Sequence, residues 1–213
     1  MATEHGSPVR YVVFDMGGVL LQLGESAYRD VVARHLGFDG VPPAYDQYAD
    51  ALYRGRISEE ELWSKLIGRA LTEEDLEVCI QSFLTHFPPI EPMLALAEEL
   101  RRHGVGTAVL SNTQNVHVRA VRRMRILDPF FPVFFSCEIG LRKPSEAIYR
   151  HVVETLGLAP GEIAFIDDIA ENVEAAQKAG LHGIHHTGDV EATRRSVLAL
   201  VRKRENVHEE RDG

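Results

Sequence analysis

The chain has 213 residues, of which 45% are hydrophobic and 26% charged, so it has the composition of a folded globular protein of one to two domains. Its formal net charge of -9 disfavours nucleic acid and anionic membrane surfaces as partners, because surplus carboxylates repel phosphates unless basic residues gather on one face. Two cysteines are too few for a disulfide framework, and the first apolar stretch, residues 11–23, is too short to span a bilayer, so we expect a cytoplasmic protein.

The first predicted element is a strand. Residues 9–14 form a short β-branched and aromatic run that is typical of a strand buried on both faces. The run ends at Asp15, which is followed by Met16, Gly17 and Gly18. A buried strand that ends in a carboxylate and two glycines indicates a functional site, because ligands bind at the carboxyl ends of such strands.

The next stretch, residues 25–87, predicts only helices. Ser58 with Glu61 and Thr72 with Asp75 have the spacing of capping boxes, in which a hydroxyl and an acid three residues later begin a helix. The aromatic side chains of this stretch have helical spacing and are expected to be core rather than substrate contacts: Tyr45, Tyr48, Tyr53 and Trp63.

From residue 88 onward helices and strands alternate. The pattern predicts strands at 105–110, 133–136, 163–166 and 183–185, and helices at 92–102, 115–125, 145–156, 170–179 and 190–203. Such alternation predicts an α/β fold, a Rossmann-like three-layer core in which helices cover both faces of a parallel sheet. The predicted domains are a core of residues 1–21 and 88–213, an inserted helical domain of residues 22–87, and a charged tail, 205–213, that frays.

Four places after predicted strands carry side chains that can do chemistry: Asp15, Ser111 with Asn112, Lys143, and Asp167 with Asp168. Because the carboxyl ends of parallel strands meet at one edge of the sheet, we expect these side chains to lie together. Carboxylate oxygens suit Mg²⁺, which keeps several waters while it binds a substrate phosphate. The metal and a lysine would offset a carboxylate–phosphate repulsion of roughly 4 kcal/mol per charge pair at 4 Å and an effective dielectric of 20.

These groups predict a reaction at phosphorus. Ser111 and the free N–H groups at the start of the following helix can hold phosphoryl oxygens, as helix N-termini commonly do. Asp15 would then attack phosphorus and form an aspartyl-phosphate that water later cleaves.

At these residues the sequence resembles the haloacid dehalogenase (HAD) superfamily over nearly the whole chain. The matching segments are VVFDMGGVL, VLSNT, SCEIGLRKPSEAIY and FIDDIAENVEAA, in the family's order and at its spacing. The stretches SNT, GLRKPSEAIYRHV and DDIAEN are most similar to the branch of subfamily I that acts on α-glucose 1-phosphate and to the phosphatase domain of soluble epoxide hydrolase. The resemblance implies a helical C1 cap after the first motif, where the sequence has its helical stretch.

The resemblance also implies a role for each matching residue. Asp15 would be the nucleophile, Ser111 and Asn112 phosphate or substrate ligands, and Lys143 the residue that neutralises charge. The implied Mg²⁺ ligands are Asp15, the backbone carbonyl of Gly17, Asp168, and Asp167 as a second ligand or a partner of the ligands. His117 and Asn172 are expected near the site, without an assigned role.

One position departs from the family pattern. Most phosphatases of the family have a second Asp two residues after the nucleophile, which protonates the leaving oxygen and activates water, and here that residue is Gly17. Loss of a general acid typically costs about 10²- to 10⁴-fold in rate. The glucose 1-phosphate branch is similar in having Gly there, and we hypothesise that Gly17 limits the enzyme to phosphates with a good leaving group.

The sequence therefore predicts a Mg²⁺-dependent phosphatase that acts on a small phosphorylated metabolite, with a sugar phosphate favoured. A catalytically weakened member that binds a phospho-ligand is the alternative, and Gly17 is its support. A receiver-type signalling domain is disfavoured because receivers have the acidic pair first and the lysine last, whereas Lys143 precedes Asp167 here. A dehalogenase is disfavoured because those enzymes usually have Tyr where this chain has Gly17, and they use no metal.

Overall fold

The computed structural model describes residues 8–201 and contains a five-stranded parallel sheet. The strands are β1 (Tyr11–Phe14), β2 (Gly106–Ser111), β3 (Val133–Phe135), β4 (Ile163–Asp167) and β5 (His182–His185). Their order across the sheet is β3-β2-β1-β4-β5, so β1 lies in the centre between β2 and β4. This confirms the predicted α/β fold with a parallel sheet of Rossmann-like topology.

Alternating side chains of the central strands face two separate hydrophobic layers. Val12 and Phe14 of β1 pack in one cluster, whereas Val13, between them, packs in the other. The same alternation recurs in β4, where Ile166 and Phe165 face opposite layers. Because both faces of the strand are buried, β1 is a continuous apolar run, which is how the sequence revealed it.

Ten α-helices are described within residues 8–201: α1 (Glu25–His35), α2 (Ala49–Tyr53), α3 (Glu59–Ile67), α4 (Glu73–His86), α5 (Glu91–Arg102), α6 (Asn115–Met124), α7 (Ser136–Ile139), α8 (Glu146–Leu156), α9 (Ala170–Lys178) and α10 (Val190–Val201). Short 3₁₀ helices lie at Asp46–Tyr48 and Pro160–Glu162. None of the ten, within this described range, is long and apolar enough to cross a membrane.

The predicted bounds needed small corrections. The strand predicted at 133–136 ends at Phe135, because Ser136 begins the short helix α7 and its hydroxyl accepts a hydrogen bond from the Thr113 N–H (2.9 Å). The strand predicted from residue 9 is assigned from Tyr11. The predicted end of the last helix at residue 203 and the tail 205–213 lie outside the described residues.

The helices α1 to α4 form the inserted cap. The Ser58 and Thr72 capping boxes are both present, as predicted, at the starts of α3 and α4. The two linkers of the cap run side by side: the Gln22 N–H donates to the Pro88 carbonyl (2.9 Å), and the Ile90 N–H donates to the Leu20 carbonyl (2.8 Å). This pairing places the cap above the carboxyl end of β1, while the cap limits 22–87 stay a prediction.

Helix α6 of the core is the main platform for the cap. The Asn115 side chain accepts a hydrogen bond from the Glu59 N–H at the start of α3 (3.0 Å). Arg123 forms an ion pair with Glu77 of α4 (2.8 Å). Because α6 begins directly after the loop that follows β2, these contacts hold the cap over the end of that strand.

Candidate active site

Three adjacent strands bring the predicted residues to one edge of the sheet. Asp15 directly follows β1, Ser111 ends β2 and Asp167 ends β4, and these strands are neighbours in the sheet. The Asp15 N–H donates to the Ile166 carbonyl (2.8 Å), which ties the chain after β1 to β4. Lys143 arrives from the loop between α7 and α8.

Lys143 lies between two carboxylates. Its ammonium Nζ is 2.8 Å from Asp15 Oδ1 and 2.6 Å from Asp167 Oδ2, and the side chain is 1% exposed. Burial lowers the pKa of Lys143, but the attraction of Asp15 and Asp167 outweighs burial and holds the pKa above its ordinary value. Lys143 is therefore a buried cation at neutral pH.

The carboxylates at this edge outnumber the cation. Oxygens of Asp15, Asp167 and Asp168 all lie within 4.8 Å of one another. Burial raises the pKa of Asp15 to about 7, while Lys143 opposes this rise and Asp167 adds to it. Three carboxylates beside one ammonium leave a net negative charge of two when all are ionised, so the group fits a divalent cation with oxygen ligands such as Mg²⁺.

Asp167 and Asp168 have different surroundings. The fully buried Asp167 carboxylate accepts hydrogen bonds from Lys143, from Asn172 Nδ2 (3.0 and 3.1 Å) and from the Ile169 N–H (2.8 Å). No other described residue donates a hydrogen bond to the half-buried Asp168 carboxylate. Lone pairs of Asp168 are thus available to a cation, whereas those of Asp167 are largely occupied.

Gly18 makes room for Asp168. Its φ is +75°, and a Cβ at this position would lie 2.2 Å from Asp168 Oδ2. Any other residue would be strained by this backbone conformation and would displace the carboxylate. Of the two glycines that follow the nucleophile candidate, Gly18 is therefore required by the geometry.

Asn112 fixes the backbone of Lys143. Its Oδ1 accepts from the Lys143 N–H (2.9 Å) and its Nδ2 donates to the Lys143 carbonyl (3.0 Å). The sequence assigned Asn112 to phosphate, and this second task was not visible because it depends on how two distant loops meet. Asn172 has a similar supporting task on Asp167, and its place five residues later, in the first turn of α9, is the signal that could have suggested it.

A cavity of about 380 Å³ lies above these residues. Its floor contains Asp15, Ser111, Lys143 and Asp168, and the other predicted site residues that line it are Gly17 and Asn112. Asp167 does not line the cavity and lies beneath Lys143. The structure therefore brings all the predicted residues together but places Asp167 one layer below the cavity.

His117, which was expected near the site without an assigned role, lies between the core and the cap. Its ring lies 4.6 Å from the ring of Tyr28, 4.7 Å from that of Phe83 and 5.6 Å from that of Phe87, measured between centroids. Its Nε2 is 3.0 Å from the Gln114 side-chain nitrogen. His117 also lines the cavity, so this aromatic group is both a packing contact and a wall.

A second buried carboxylate lies inside the cap. Glu59 accepts hydrogen bonds from Tyr28 (2.8 and 2.9 Å), Tyr45 (3.1 Å) and Trp63 Nε1 (3.1 Å), and it is fully buried. Tyr45 and Trp63 are fully buried, which confirms their predicted core role. The prediction is wrong for Tyr48, which is exposed, and Tyr53 lines the cavity. The sequence offered no sign that an acid occupies the centre of the cap.

Residues 9–180 match the family model of the haloacid dehalogenase-like hydrolases. The chain belongs to this family. The family match confirms the resemblance carried by the four sequence motifs, and it makes the protein an enzyme of the hydrolase class.

Relatives of this hydrolase include phosphatases. It is 29% identical over 177 residues to the sesquiterpene phosphatase astK of Aspergillus oryzae, which covers 82% of this chain and 88% of that protein. It is 30% identical over 95 residues to the bifunctional epoxide hydrolase 2 of Rattus norvegicus, covering 42% of this chain and 17% of that protein. The chain thus spans a small part of the epoxide hydrolase.

A solved structure with the same fold is the HAD family enzyme bt-2542 of Bacteroides thetaiotaomicron, in complex with magnesium and inorganic phosphate. The TM-score is 0.69 at 22% sequence identity, over 85% of this chain and 96% of that chain. At this identity the likeness shows the fold, and it confirms the α/β Rossmann-like architecture.

Proposed function

We propose that this hydrolase is a Mg²⁺-dependent phosphatase that acts on a small phosphorylated metabolite through an aspartyl-phosphate on Asp15. The observation that carries the proposal is the Asp15 carboxylate, held 2.8 Å from Lys143 at the floor of a cavity with Asp168 beside it. Phosphatase relatives support the same reaction class. We also propose that the enzyme is soluble and cytoplasmic and that it has no nucleic acid or membrane partner.

The Mg²⁺ ligands in this proposal are Asp15, Asp168 and the backbone carbonyl of Gly17. Asp167 joins them as a second ligand or, as its contacts with Lys143 and Asn172 favour, as the group that positions Lys143. When bound, the cation supplies positive charge that lets a phosphate dianion approach the carboxylates. The open lone pairs of Asp168 and the surplus negative charge support this ligand set.

Asp15 performs the nucleophilic step. Its Oδ1 accepts from Lys143 and from the Met16 N–H (2.6 Å), so Oδ2 is the oxygen free of described donors that can form the bond to phosphorus. The ester P–O bond breaks as this bond forms, and the leaving oxygen takes a proton from water. Water then attacks the aspartyl-phosphate, which returns the Asp15 carboxylate and releases inorganic phosphate.

Lys143 and Ser111 hold the transferred group. The Lys143 ammonium stabilises the charge on Asp15 and on the phosphoryl oxygens, and the buried Ser111 hydroxyl donates to one of those oxygens. Asn112 acts as a phosphate ligand in the family pattern, and its two bonds to the Lys143 backbone support an additional positioning role.

Gly17 favours substrates whose leaving oxygen needs no acid. Among sugar phosphates, which the sequence favours, an anomeric phosphate is an example with a leaving oxygen that needs little help from an acid. The same glycine is the one observation that favours a second candidate, a protein that binds a phospho-ligand without turnover.

Phosphate release from a metabolite panel, with Mg²⁺ and with EDTA in its place, tests the proposal. We expect release only with Mg²⁺, and a loss of at least about 10³-fold in Asp15→Asn because the amide is no nucleophile. Asp128→Asn removes an exposed carboxylate outside the cavity and is the matched control. Full activity of Asp15→Asn would exclude the mechanism, whereas phosphate binding without any turnover would favour the second candidate.

A further inference from the structure

We infer that the substrate is a phosphomonoester whose organic group is apolar and carries a ring, rather than a polyol such as a sugar. The inference rests on the proposed phosphatase function and concerns the part of the cavity that faces away from the phosphate. That part is built from the cap and from the linker that leads into it.

The wall opposite the catalytic floor is apolar and aromatic. Phe83 and Phe87 of the cap stack on each other, with ring centroids 4.4 Å apart and an interplanar angle of 12°. Tyr53, Leu21 and Leu23 continue this wall. The Phe83 and Phe87 rings are 0% and 5% exposed, so they form a rigid apolar backing to this wall, which offers few hydrogen bonds to hydroxyl groups.

The rim of the cavity is also apolar. Leu23 is 67% exposed and Ile169 is 51% exposed, and both line the cavity. They are two of the four large apolar side chains that are exposed in the part of the chain that the structure describes. Exposed apolar side chains that gather at one cavity, rather than scatter singly, mark a binding surface.

Polar groups that could recognise sugar hydroxyls are already engaged or lie at the phosphate end. Glu25 pairs with Arg29 (2.6 Å), and His117 Nε2 contacts Gln114. Among the described lining residues, two buried polar atoms have no partner, Thr113 Oγ1 and Arg142 Nε, and their residues adjoin Asn112 and Lys143 in the chain, at the phosphate end. A sugar in this cavity would leave several hydroxyls without partners, and each loses hydrogen bonds to water on entering.

The apolar wall extends to the position of the missing acid. A Cβ added at Gly17 would have one neighbour within contact distance, Leu23 Cδ2 at 3.3 Å. A leucine therefore lies beside position 17, where most of the family's phosphatases carry the Asp that protonates the leaving oxygen. This arrangement suits a leaving group that departs without an acid and packs against carbon, which describes an aryl phosphate.

A series of aryl phosphates with equal leaving groups tests the inference. Phenyl, 4-ethylphenyl and 4-butylphenyl phosphate release phenols of similar acidity, so differences in kcat/KM report contacts with the organic group. We expect kcat/KM to rise by roughly twofold to fourfold for each added methylene until the wall is covered. We also expect 4-butylphenyl phosphate to exceed α-glucose 1-phosphate by at least about tenfold.

Two exposed side chains, Leu23 and Tyr48, provide the variant and its control. Leu23→Ser should lower the ratio of kcat/KM for 4-butylphenyl over phenyl phosphate by about fivefold to tenfold. Tyr48→Ser, in the cap but outside the cavity, should leave that ratio unchanged. Both side chains are partly or largely exposed, so neither change should unfold the protein, which thermal unfolding checks.

The outcomes separate this inference from the proposed function. No release from any ester would overturn the proposed phosphatase function and this inference with it. Release that is flat along the aryl series, or that favours glucose 1-phosphate, would overturn the inference and leave the phosphatase function standing. An unchanged ratio in Leu23→Ser would also overturn it, because the wall would then not contact the substrate.

Discussion

The core and the cap each bury acidic side chains, and they neutralise them differently. In the core, Asp15 and Asp167 share a lysine. In the cap, Glu59 accepts hydrogen bonds from Tyr28, Tyr45 and Trp63, all of them neutral donors. Burial raises the pKa of Asp15 and of Glu59 alike.

Access to the lone pairs distinguishes the two sites. Both Glu59 oxygens accept hydrogen bonds, and the residue does not line the catalytic cavity. Asp15 and Asp168 line the cavity, and each keeps a carboxylate oxygen without a donor from another described residue. A perturbed carboxyl pKa thus indicates function only when its lone pairs are also open to a ligand.

Removing the Lys143 ammonium from the core cluster of Asp15, Lys143, Asp167 and Asp168 should have the largest effect. Lys143→Met should lower kcat/KM by at least about 10³-fold, because the transferred phosphoryl group loses its neutralising charge. The free energy of unfolding at pH 7 should fall by about 3 to 5 kcal/mol, since two buried carboxylates are left without their partner. Urea unfolding and phosphate release measure both effects.

The exposed Lys178 provides the control for Lys143. Lys178→Met should keep both the rate and the stability of the wild-type protein. If Lys143→Met were as stable as Lys178→Met at pH 7, the Asp15 and Asp167 carboxylates would not depend on the lysine, and the core cluster would resemble that of Glu59.

Adding a carboxylate to the core cluster sharpens the comparison. Gly17→Asp should raise the rate on simple alkyl phosphates by about 10- to 100-fold, because an acid would then protonate the leaving oxygen. The change is sterically modest, since a Cβ there meets only the tip of Leu23. Aryl phosphates should gain less, and Gly17→Asn, which has nearly the same shape but no acid, is the control. No gain on alkyl phosphates would refute the hypothesis that Gly17 limits the substrate range.

Sequence periodicity and strand-end chemistry predicted the sheet, the helical insertion and the cluster of Asp15, Lys143 and Asp168. They succeeded because buried strands are continuous apolar runs and because parallel strands end at one edge. The family match confirms that the chain is a hydrolase, while the individual residue roles stay predictions.

Contacts between distant segments could not be predicted in the same way. Asn112 meets the Lys143 backbone across 31 positions of sequence, and Glu59 meets Tyr28 across 31 positions as well. Nothing in local spacing marks such pairs, because they depend on how loops and cap helices pack. The apolar wall of Phe83 and Phe87 was not predicted for the same reason. Apolar side chains have the same helical spacing whether they face the core or a cavity.

Neutralising the cap carboxylate gives the smallest expected effect on catalysis. Glu59→Gln should keep kcat/KM within about threefold of wild type, because Glu59 does not line the catalytic cavity. Glu74→Gln on the cap surface is the matched control. We expect the Glu59→Gln variant to differ from the wild-type protein in how its free energy of unfolding depends on pH. Since burial raises the pKa of Glu59 above its ordinary value of 4.5, the folded state holds its proton to higher pH than the unfolded state does.

The raised pKa of Glu59 determines whether stability rises or falls with pH. Below pH 4.5 Glu59 is protonated in both states and contributes no pH dependence, and as the pH rises through the raised pKa the wild-type protein loses stability relative to Glu59→Gln. Urea unfolding of both proteins between pH 4 and pH 8 measures this difference. A difference that does not change with pH would mean that the cap stabilises an ionised Glu59 as well as water does, and a rate loss like that of Asp15→Asn would place Glu59 in the catalytic machinery.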